Sequence, residues 1–414
     1  MSEPVVLQTR CCIVGGGPAG IVLGCLLARA GVPVIVLEKH ADFFRDFRGD
    51  TIHPSTLQNL YELGLLEQFL KIPHQEFSQL MLDLNGKQVR GPDLRHLPTK
   101  CKFVALAPQW DFLNFMTSYG RQFSEFQLHM QTCATKLLRE EERVTGVLAS
   151  SPQGELNIQA DLVIAADGRH SELRIQSGLP LLELGAPIDV LWYRLPRELH
   201  QENEFALGHL AHGQMLVTID RGDYFQCATV IAKGGYQQIQ ERGLPAFRED
   251  ITRIIPQFQS AVQTLQSWDQ VKLLTVQMNR LKQWFLPGFL CIGDAAHAMS
   301  PVGGVGVNIA IQDAVATANL LAGKLQIGPI TPEDLATVQH RREWPAKMTQ
   351  KIQAFAHHRL FDPRRGFGKT AIFSRPSRII LGLLAPLLRR LLARVVGIGF
   401  RPEHVCSPEQ KKVS

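Results

Sequence analysis

Val5-Val-Leu-Gln-Thr-Arg-Cys-Cys-Ile-Val-Gly15-Gly-Gly-Pro-Ala-Gly20 is the stretch from which the fold is read. Its first ten residues are strand-like, and its last six spell G-x-G-x-x-G. Gly15 permits a tight turn, Gly17 lets a pyrophosphate approach the backbone, and Gly20 lets a helix pack on the strand. Pro18 and Ala19 complete the turn. The helix Ile21 to Ala30 ends at Gly31, a normal C-terminal stop. Val32 to Leu37 is the next strand, closed by Glu38 and Lys39. Glu38 lies eighteen residues after Gly20, where a ribose-binding acid is expected. Strand, turn, helix, strand and acid in this order predict a dinucleotide site with phosphate at the helix N-terminus.

A second stretch follows the same logic. Gly293-Asp-Ala-Ala-His-Ala-Met-Ser-Pro-Val-Gly-Gly-Val-Gly-Val-Asn308 follows a short buried strand, Gly288 to Ile292, and precedes a helical pattern, Ile309 to Leu321. Gly293, Gly303, Gly304 and Gly306 let backbone approach a ligand and adopt positive φ. The helix N-terminus around Val307 and Asn308 offers free N–H groups and a partial positive charge to an anion. Asp294, at the strand end, can accept hydrogen bonds from ligand hydroxyls. A glycine-rich turn that only caps a helix reads the same in isolation; the N-terminal stretch favours the ligand.

Together with Asp161-Leu-Val-Ile-Ala-Ala-Asp-Gly168, these stretches resemble the three fingerprints of single-component FAD-dependent aromatic hydroxylases. Those are class A flavoprotein monooxygenases with the p-hydroxybenzoate hydroxylase fold. Order and spacing match over roughly residues 5–330. The resemblance implies an α/β chain: a Rossmann-like FAD-binding domain of GR2 type, an inserted β-sheet substrate domain and a C-terminal helical tail. The corresponding boundaries are 1–182 with 270–345, then 183–269, then 346–414. It implies noncovalent FAD, with NADPH or NADH as a transient donor; no second G-x-G-x-x-G exists for a stable site.

The resemblance also implies roles. Arg48 contacts the flavin cofactor, and guanidinium suits a pyrophosphate or a flavin carbonyl. The rival for Arg48 is an exposed side chain in a charged loop. Gln109 binds near the ribityl or ribose. Asp167 closes over the pyrophosphate and affects reduction by NAD(P)H, and the rival is a capping aspartate. Asp294 holds ribityl hydroxyls. Pro301 places its carbonyl beside the oxygenating face. His53 departs from the reference pattern and either lines the flavin cavity with a catalytic part or is structural.

Residues 76–106 read as short strands with turns at Asn85-Gly86, a strong hairpin signal, and at Gly91-Pro92. Ile188 to Leu195, Gln214 to Asp220 and Tyr224 to Ile231 read as antiparallel strands, with a hairpin turn at Arg221-Gly222-Asp223. Gln237 to Ile255 reads as one helix, and Val271 to Met278 as the return to the nucleotide domain. One sheet face would line a substrate cavity, with Trp192, Met215, Tyr224 and Gln226 as candidates, but period-2 faces stay open without register.

Composition bounds the rest. The chain has 414 residues, 45% hydrophobic and 20% charged, enough for two or three domains with full cores. Eight cysteines form no C-x-x-C pair and no disulfide framework, which favours a reducing compartment. Fourteen histidines show no metal spacing, so no metal is expected. Met1 to Arg10 lacks an apolar signal core, and no apolar run reaches the ~20 residues of a membrane span. A cytoplasmic protein is expected. Pro363 to Pro402 contains no Asp or Glu but nine Lys or Arg, more than the net charge of +6. Ile380, Leu384, Leu387, Leu388, Leu391 and Val395 form an apolar stripe, with Pro386 restarting the helix. Such a segment (375–400) lies on an anionic membrane, packs on its own domain or packs on a second subunit. No motif suggests nucleic acid.

The implied activity is hydroxylation or epoxidation of a largely apolar aromatic or polyketide-like substrate, with O2 and NAD(P)H, through a C4a-hydroperoxyflavin. No clear anion-binding arginine set occurs in 183–275, hence the apolar substrate. Three rivals stand beside it: a flavin halogenase, a reductase or dehydrogenase of isoprenoid double bonds, and a non-catalytic flavoprotein at a membrane surface. The halogenase requires W-x-W-x-I-P, and Leu191-Trp-Tyr-Arg-Leu-Pro196 breaks it at Tyr193 and Arg194.

Overall fold

A computed structural model describes residues 5–44, 51–197, 207–360 and 387–409. Four strands carry the sequence motifs: β1 (Val5–Val14), β2 (Val34–Leu37), β3 (Gly154–Ala165) and β4 (Phe289–Cys291). They lie side by side in the order β4-β3-β1-β2, all parallel, and Phe126–His129 extends the row beyond β2. Helices cover such a sheet on both faces, so its strands read as unbroken apolar runs. Cys11 to Val14, Val34 to Leu37 and Leu162 to Ala165 are all buried accordingly. Two more strands, Cys133–Glu140 and Arg143–Ser151, pair antiparallel and attach to β3.

The helix α1 (Pro18–Arg29) packs against α2 (Gly306–Ile327). The apolar stretch Val302–Ile327 is long enough to cross a membrane, with mean hydropathy 1.3, but 72% of its most apolar window is buried in the protein. Its apolarity belongs to a core helix. The polar residues Gln312 and Asp313 interrupt its apolar run, and both are buried.

The second sheet has seven strands, in the order Lys272–Leu274, Ile188–Pro196, Tyr224–Ala232, Gln214–Asp220, Gly208–Ala211, Gln79–Leu84 and Lys87–Asp93. It therefore draws on chain outside 183–269. The hairpin expected at Asn85-Gly86 forms, with φ of +53° and +80°. It does not stay with the nucleotide domain. Leu82 to Leu84 pair in parallel with Gly208 to Leu210, because an isolated hairpin is marginal and satisfies one free edge by joining a sheet. Gly91-Pro92 is not a turn. It lies inside the edge strand Lys87–Asp93, where the missing Pro92 N–H leaves no ladder bond unmade. Lys272–Leu274 likewise pairs with Ile188–Pro196 rather than returning directly to the nucleotide sheet. The single helix expected over 237–255 is two, Tyr236–Glu241 and Leu244–Ile254, broken at Gly243 with φ +86°.

After α2, the helix α3 (Pro332–Leu360) runs without interruption across the boundary expected at 345/346, despite Pro345 within it. Of the basic tail, Ile380 and Leu384 fall outside the described residues. Residues 387–397 are helical. Ala393 and Ile398 pack with Leu94, Leu97 and Leu106 and with Ile219 of the second sheet. Gly397 is required there, since a Cβ would sit 2.5 Å from Leu97 Cδ1. The chain then straps across the nucleotide domain. Asn59 Nδ2 donates to Glu403 O (2.8 Å), Asn319 Nδ2 to His404 O (2.7 Å) and Arg29 Nη1 to Ser407 O (3.2 Å).

His53 fixes the near end of the strap. Its imidazole is buried, with Nδ1 2.6 Å from Val396 O, and burial lowers its pKa to about 4 despite that carbonyl. The folded value lies below the ordinary histidine value, so the unfolded chain takes up this proton first. Stability is full above about pH 6.5 and falls as the pH drops toward 4. Between pH 7 and 4.5 this group costs the fold about 2.5 kcal/mol. His53→Asn keeps a donor near the Nδ1 position and does not titrate. Urea unfolding at the two pH values is expected to show a smaller loss in the variant by that amount; equal losses would refute a buried neutral His53.

Candidate functional site

Because the four motif strands are parallel, their carboxyl ends share one edge, and Gly15, Glu38, Asp167 and Gly293 meet there. Gly15 has φ +113°, and a Cβ on it would lie 2.4 Å from Ala166 O. A Cβ on Gly20 would lie 1.9 Å from Gly15 O, so the start of α1 rests directly on the turn. Gly17 differs: nothing lies within 4 Å of its Cβ direction. It is the N-cap of α1 and supplies no side-chain acceptor. The first helical amide with a partner is Ile21 N, bonded to Gly17 O (2.9 Å), and Pro18 has no N–H. The amides of Ala19 and Gly20 thus remain for an anion in front of Gly17. Glu38 braces the turn from β2, accepting from Gly16 N and His40 N, each 3.0 Å away. Lys39 is exposed beside it.

Asp167 follows β3 in a turn completed by Gly168, φ +88°. Its Oδ1 is buried without a hydrogen-bond partner in the protein. Burial pushes its carboxyl above the usual range, against the Ser171 hydroxyl and the Arg174 charge. An orphaned buried acceptor at a sheet edge is what a bound ligand satisfies. Arg174, itself buried, donates to Arg169 O (2.7 Å) and Ala295 O (3.1 Å), joining this turn to the third motif. Arg169 also pairs with Asp294 at 3.5 Å.

In the third motif Gly293, φ +59°, sits between the two helices; its Cβ would be 3.2 Å from that of Ala310 and 3.4 Å from that of Ala19. Its amide donates to Asp313 Oδ2 (3.0 Å). The turn Pro301–Gly304 closes through Gly304 N to Pro301 O, 2.9 Å, so the carbonyl expected at the oxygenating face also holds the turn. Gly303 and Gly304 have φ of +83° and +63°. α2 has no side-chain cap, and its first paired amide is Ile309 N, bonded to Val305 O. Gly306, Val307 and Asn308 therefore present free amides.

Two candidate side chains are engaged within the protein. Asn308 is spent on the protein: its Oδ1 accepts from His53 N and Thr56 Oγ1, each 2.8 Å, and its Nδ2 donates to Thr51 O (3.0 Å). Only its backbone is left for a cofactor. His53 is turned to the tail, its ring Nδ1 donating to Val396 O, an arrangement that suits the structural of the two roles open to it. Arg48 lies outside the described residues. Gln109 heads the helix Gln109–Gly120 and is half-buried.

Strand register places the four substrate candidates relative to one another. Trp192 pairs with Ala228, Met215 with Val230, and Gln226 and Tyr224 continue the same alternate set. All four thus share one sheet face. Ile188, Val190, Trp192 and Met215 on it pack with Val302 of the third motif. The opposite face, with Leu191, Tyr193, Leu195 and Phe225, is covered by Leu244–Ile254. Arg194 lies over the Tyr224 ring at 5.0 Å, and Arg221 Nε is 3.4 Å from Gln226 Oε1. No cluster of three His, Cys, Asp or Glu side chains with metal-binding geometry occurs among the described residues. Sequence reasoning missed Asp313, His297, Arg342, Gln350 and Gln353. The available signal was their spacing, which places Arg342 and Gln353 with the buried Val338 and Ala346 on one side of α3.

Residues 8–351 match the FAD binding domain family. The 6-methylpretetramide 4-monooxygenase of Streptomyces rimosus is 30% identical over 391 residues, 94% of this chain and 92% of that one. The crystal structure of p-nitrophenol 4-monooxygenase from Pseudomonas putida DLL-E4 superposes with a TM-score of 0.75 at 19% identity, over 95% of this chain and 96% of that one. The myxobacterial chondrochloren halogenase gives 0.74 at 17% identity, over 95% and 92%. At such identity the two structures share the fold alone.

The two glycines of the first turn give opposite expectations. Gly17→Ala meets open space in the bare protein, so its unfolding in urea should match wild type while its FAD affinity drops at least tenfold, about 1.4 kcal/mol. Gly20→Ala drives a methyl into a backbone oxygen and should cost about 2 kcal/mol or more of stability as well. Isothermal FAD titration beside urea curves separates them; wild-type FAD affinity in Gly17→Ala would overturn the phosphate assignment.

Proposed function

The chain belongs to the FAD binding domain family and is an FAD-dependent monooxygenase using NAD(P)H; within that family we propose that it oxygenates a largely apolar aromatic or polyketide-like molecule. The observation that carries the substrate class is the sheet face bearing Val190, Trp192 and Met215, which closes on Val302 beside the flavin motif. An apolar wall with a few polar groups, here Tyr224 and Gln226, is the usual make-up of a small-molecule site. The 30% identity to a 6-methylpretetramide 4-monooxygenase supports the same direction.

We assign cofactor contacts to the converging edge. Ala19 and Gly20 amides and the approach at Gly17 take the pyrophosphate, Glu38 the ribose, and Asp294 the ribityl chain. The free amides of Gly306, Val307 and Asn308, with the positive end of α2, take the anionic edge of reduced flavin. Bound and reduced, FAD supplies the two electrons with which one atom of O2 enters the substrate and the other leaves as water. NAD(P)H, a proton, O2 and substrate are consumed; NAD(P)+, water and oxygenated substrate result. The protein's part is to bind, orient and exclude water, and no protein nucleophile is required. The halogenase reading gains nothing, since Tyr193 is buried on the far face against Phe247.

A panel of phenols, quinones and polycyclic aromatics, assayed for stimulated NAD(P)H oxidation, tests this. One O2 consumed per NAD(P)H with an oxygenated product is expected. Oxidation that proceeds equally without O2, or a halogenated product, would sink the proposal.

We also propose that the C-terminal helix touches anionic membrane. Leu387 and Leu391 are 65% and 57% exposed, Leu388 and Leu392 lie beside them, and Arg389, Arg390 and Arg394 belong to the same helix. Apolar burial plus about 1 kcal/mol per basic residue near anionic lipid favours the surface. Co-sedimentation with phosphatidylglycerol vesicles should be strong at low salt and weaker at high salt. It should be lost in Leu387→Ser/Leu391→Ser with FAD retained. A wild-type protein that stays in the supernatant at low salt leaves the helix a packing element.

A further inference from the structure

The segment from Ala298 to Val302 joins the Asp294 loop to the turn before α2, and Val302 reaches the substrate face of the sheet. α3 grips this segment with one polar stripe. Gln350 Nε2 donates to Asn279 O (2.8 Å) and Ala298 O (3.0 Å). Gln353 Nε2 donates to Ser300 O (2.8 Å) and Val302 O (3.0 Å), while its Oε1 accepts from Ser300 N (3.1 Å). His357 Nε2 pairs with Ser300 Oγ (2.9 Å), and that hydroxyl accepts from Val302 N (3.2 Å). Steps of three and four put Gln350, Gln353 and His357 on one side of the helix. All three, and Ser300, are at most 3% exposed.

Burying long polar side chains costs rotamer freedom and demands that every polar atom be met. Apolar side chains at these positions would dock α3 to the segment without that demand. What the amides add is position. Gln353 alone engages the backbone on both sides of Pro301, so the turn cannot slide or rotate without breaking three hydrogen bonds. His357 adds a second hold through the Ser300 hydroxyl, which Val302 N also meets.

We propose that Gln353 and His357 are positioning residues for oxygenation: they fix the Pro301–Val302 turn against the substrate face and so determine how fully NAD(P)H oxidation is coupled to product. The proposal rests on the reading of that face as the substrate wall. It applies to the FAD-loaded full chain, and Gln353→Met is the test, since methionine keeps the length and loses all three bonds. FAD affinity should stay within threefold of wild type, because Gln353 bonds to Ser300 and Val302 and to none of the residues assigned to the cofactor. Hydrogen exchange at the Ser300 and Val302 amides should quicken at least tenfold, with and without FAD. The fraction of NAD(P)H electrons released as hydrogen peroxide, with a stimulating aromatic present, should rise at least threefold. Should Gln353→Met fail to fold, Ser300→Ala removes only the hydroxyl shared by His357 and Val302 and is expected to act in the same direction. Unchanged exchange means the stripe does not hold the turn. Faster exchange with unchanged peroxide release means the stripe is structural only. Either result overturns the proposal. A wild-type chain with no aromatic-stimulated O2 uptake overturns the functional reading instead, and is told apart because the exchange comparison still reads out.

Discussion

A single buried carboxylate holds the flavin half together. Asp313 has no exposed surface and accepts from Gly293 N (3.0 Å), His297 Nε2 (2.6 Å) and Arg342 Nε (2.9 Å). Burial raises the cost of its charge, yet the His297 and Arg342 side chains hold its carboxyl below the ordinary range. Its share of stability is therefore present above the ordinary carboxylate pKa and is lost as pH falls through the depressed folded value. The pair is not extra strength over an apolar core; what is costly is to break it, on the order of 3–5 kcal/mol when one partner is removed. Three elements meet at this atom group: the Gly293 turn, α2 and α3. Through Arg342 the network continues to Glu403 (3.2 Å), which also takes Arg341 in a two-point contact (2.7 and 3.0 Å). The turn that presents Asp294 is thus fixed from behind by charge, while its front stays open.

What could be read from sequence were features enforced within a few residues. Gly15 and Gly20 are demanded by one turn, with Gly17 between them left open toward solvent, and Glu38 follows at a distance set by one helix and one strand. The turn that would hold the cofactor was legible for that reason. The residues that hold the site from behind were not. Gln350, Gln353 and His357 look like the solvated side of a helix, because a polar stripe facing buried backbone carbonyls has the same period as one facing water. Arg342 was likewise visible only as a charge. His53 and Val396 stand 343 residues apart, a pairing no local pattern encodes.

The second sheet shows the same limit in another form. Its strands Ile188–Pro196, Gln214–Asp220 and Tyr224–Ala232 were legible, but which alternate set faces the flavin half depends on register, and a one-residue slip exchanges the faces. The hairpin at Asn85-Gly86 was legible too, yet its docking beside Gly208–Ala211 was not, since a hairpin signal says nothing about which free edge it will join. Both missing facts concern partners distant in sequence. The fold itself is also a weak guide to chemistry, because a monooxygenase and a halogenase structure superpose on this chain equally well. Discrimination has to come from the residues of the site.

The second sheet and the tail are mechanically joined. The short segment Thr51–Thr56 is held on one side by Asn308, in the first turn of α2, and on the other by the His53 bond to Val396. Thr51 Oγ1 also donates to Gly304 O (2.8 Å), inside the turn whose glycines have left-handed φ. The helix 387–397 then continues to Ile219 on the second sheet through Ala393 and Ile398. The tail thus contacts both the N-terminal turn of α2 and the second sheet, and it packs closely enough at Gly397 that an added Cβ would come within 2.5 Å of Leu97 Cδ1. The tail's inner face is thus part of the site's scaffold even though its outer face, with Leu387 and Leu391, is free to meet something else. The small residues Ala393 and Gly397 let the inner side of the helix approach Leu94 and Leu97, while the large leucines stand on the outer side.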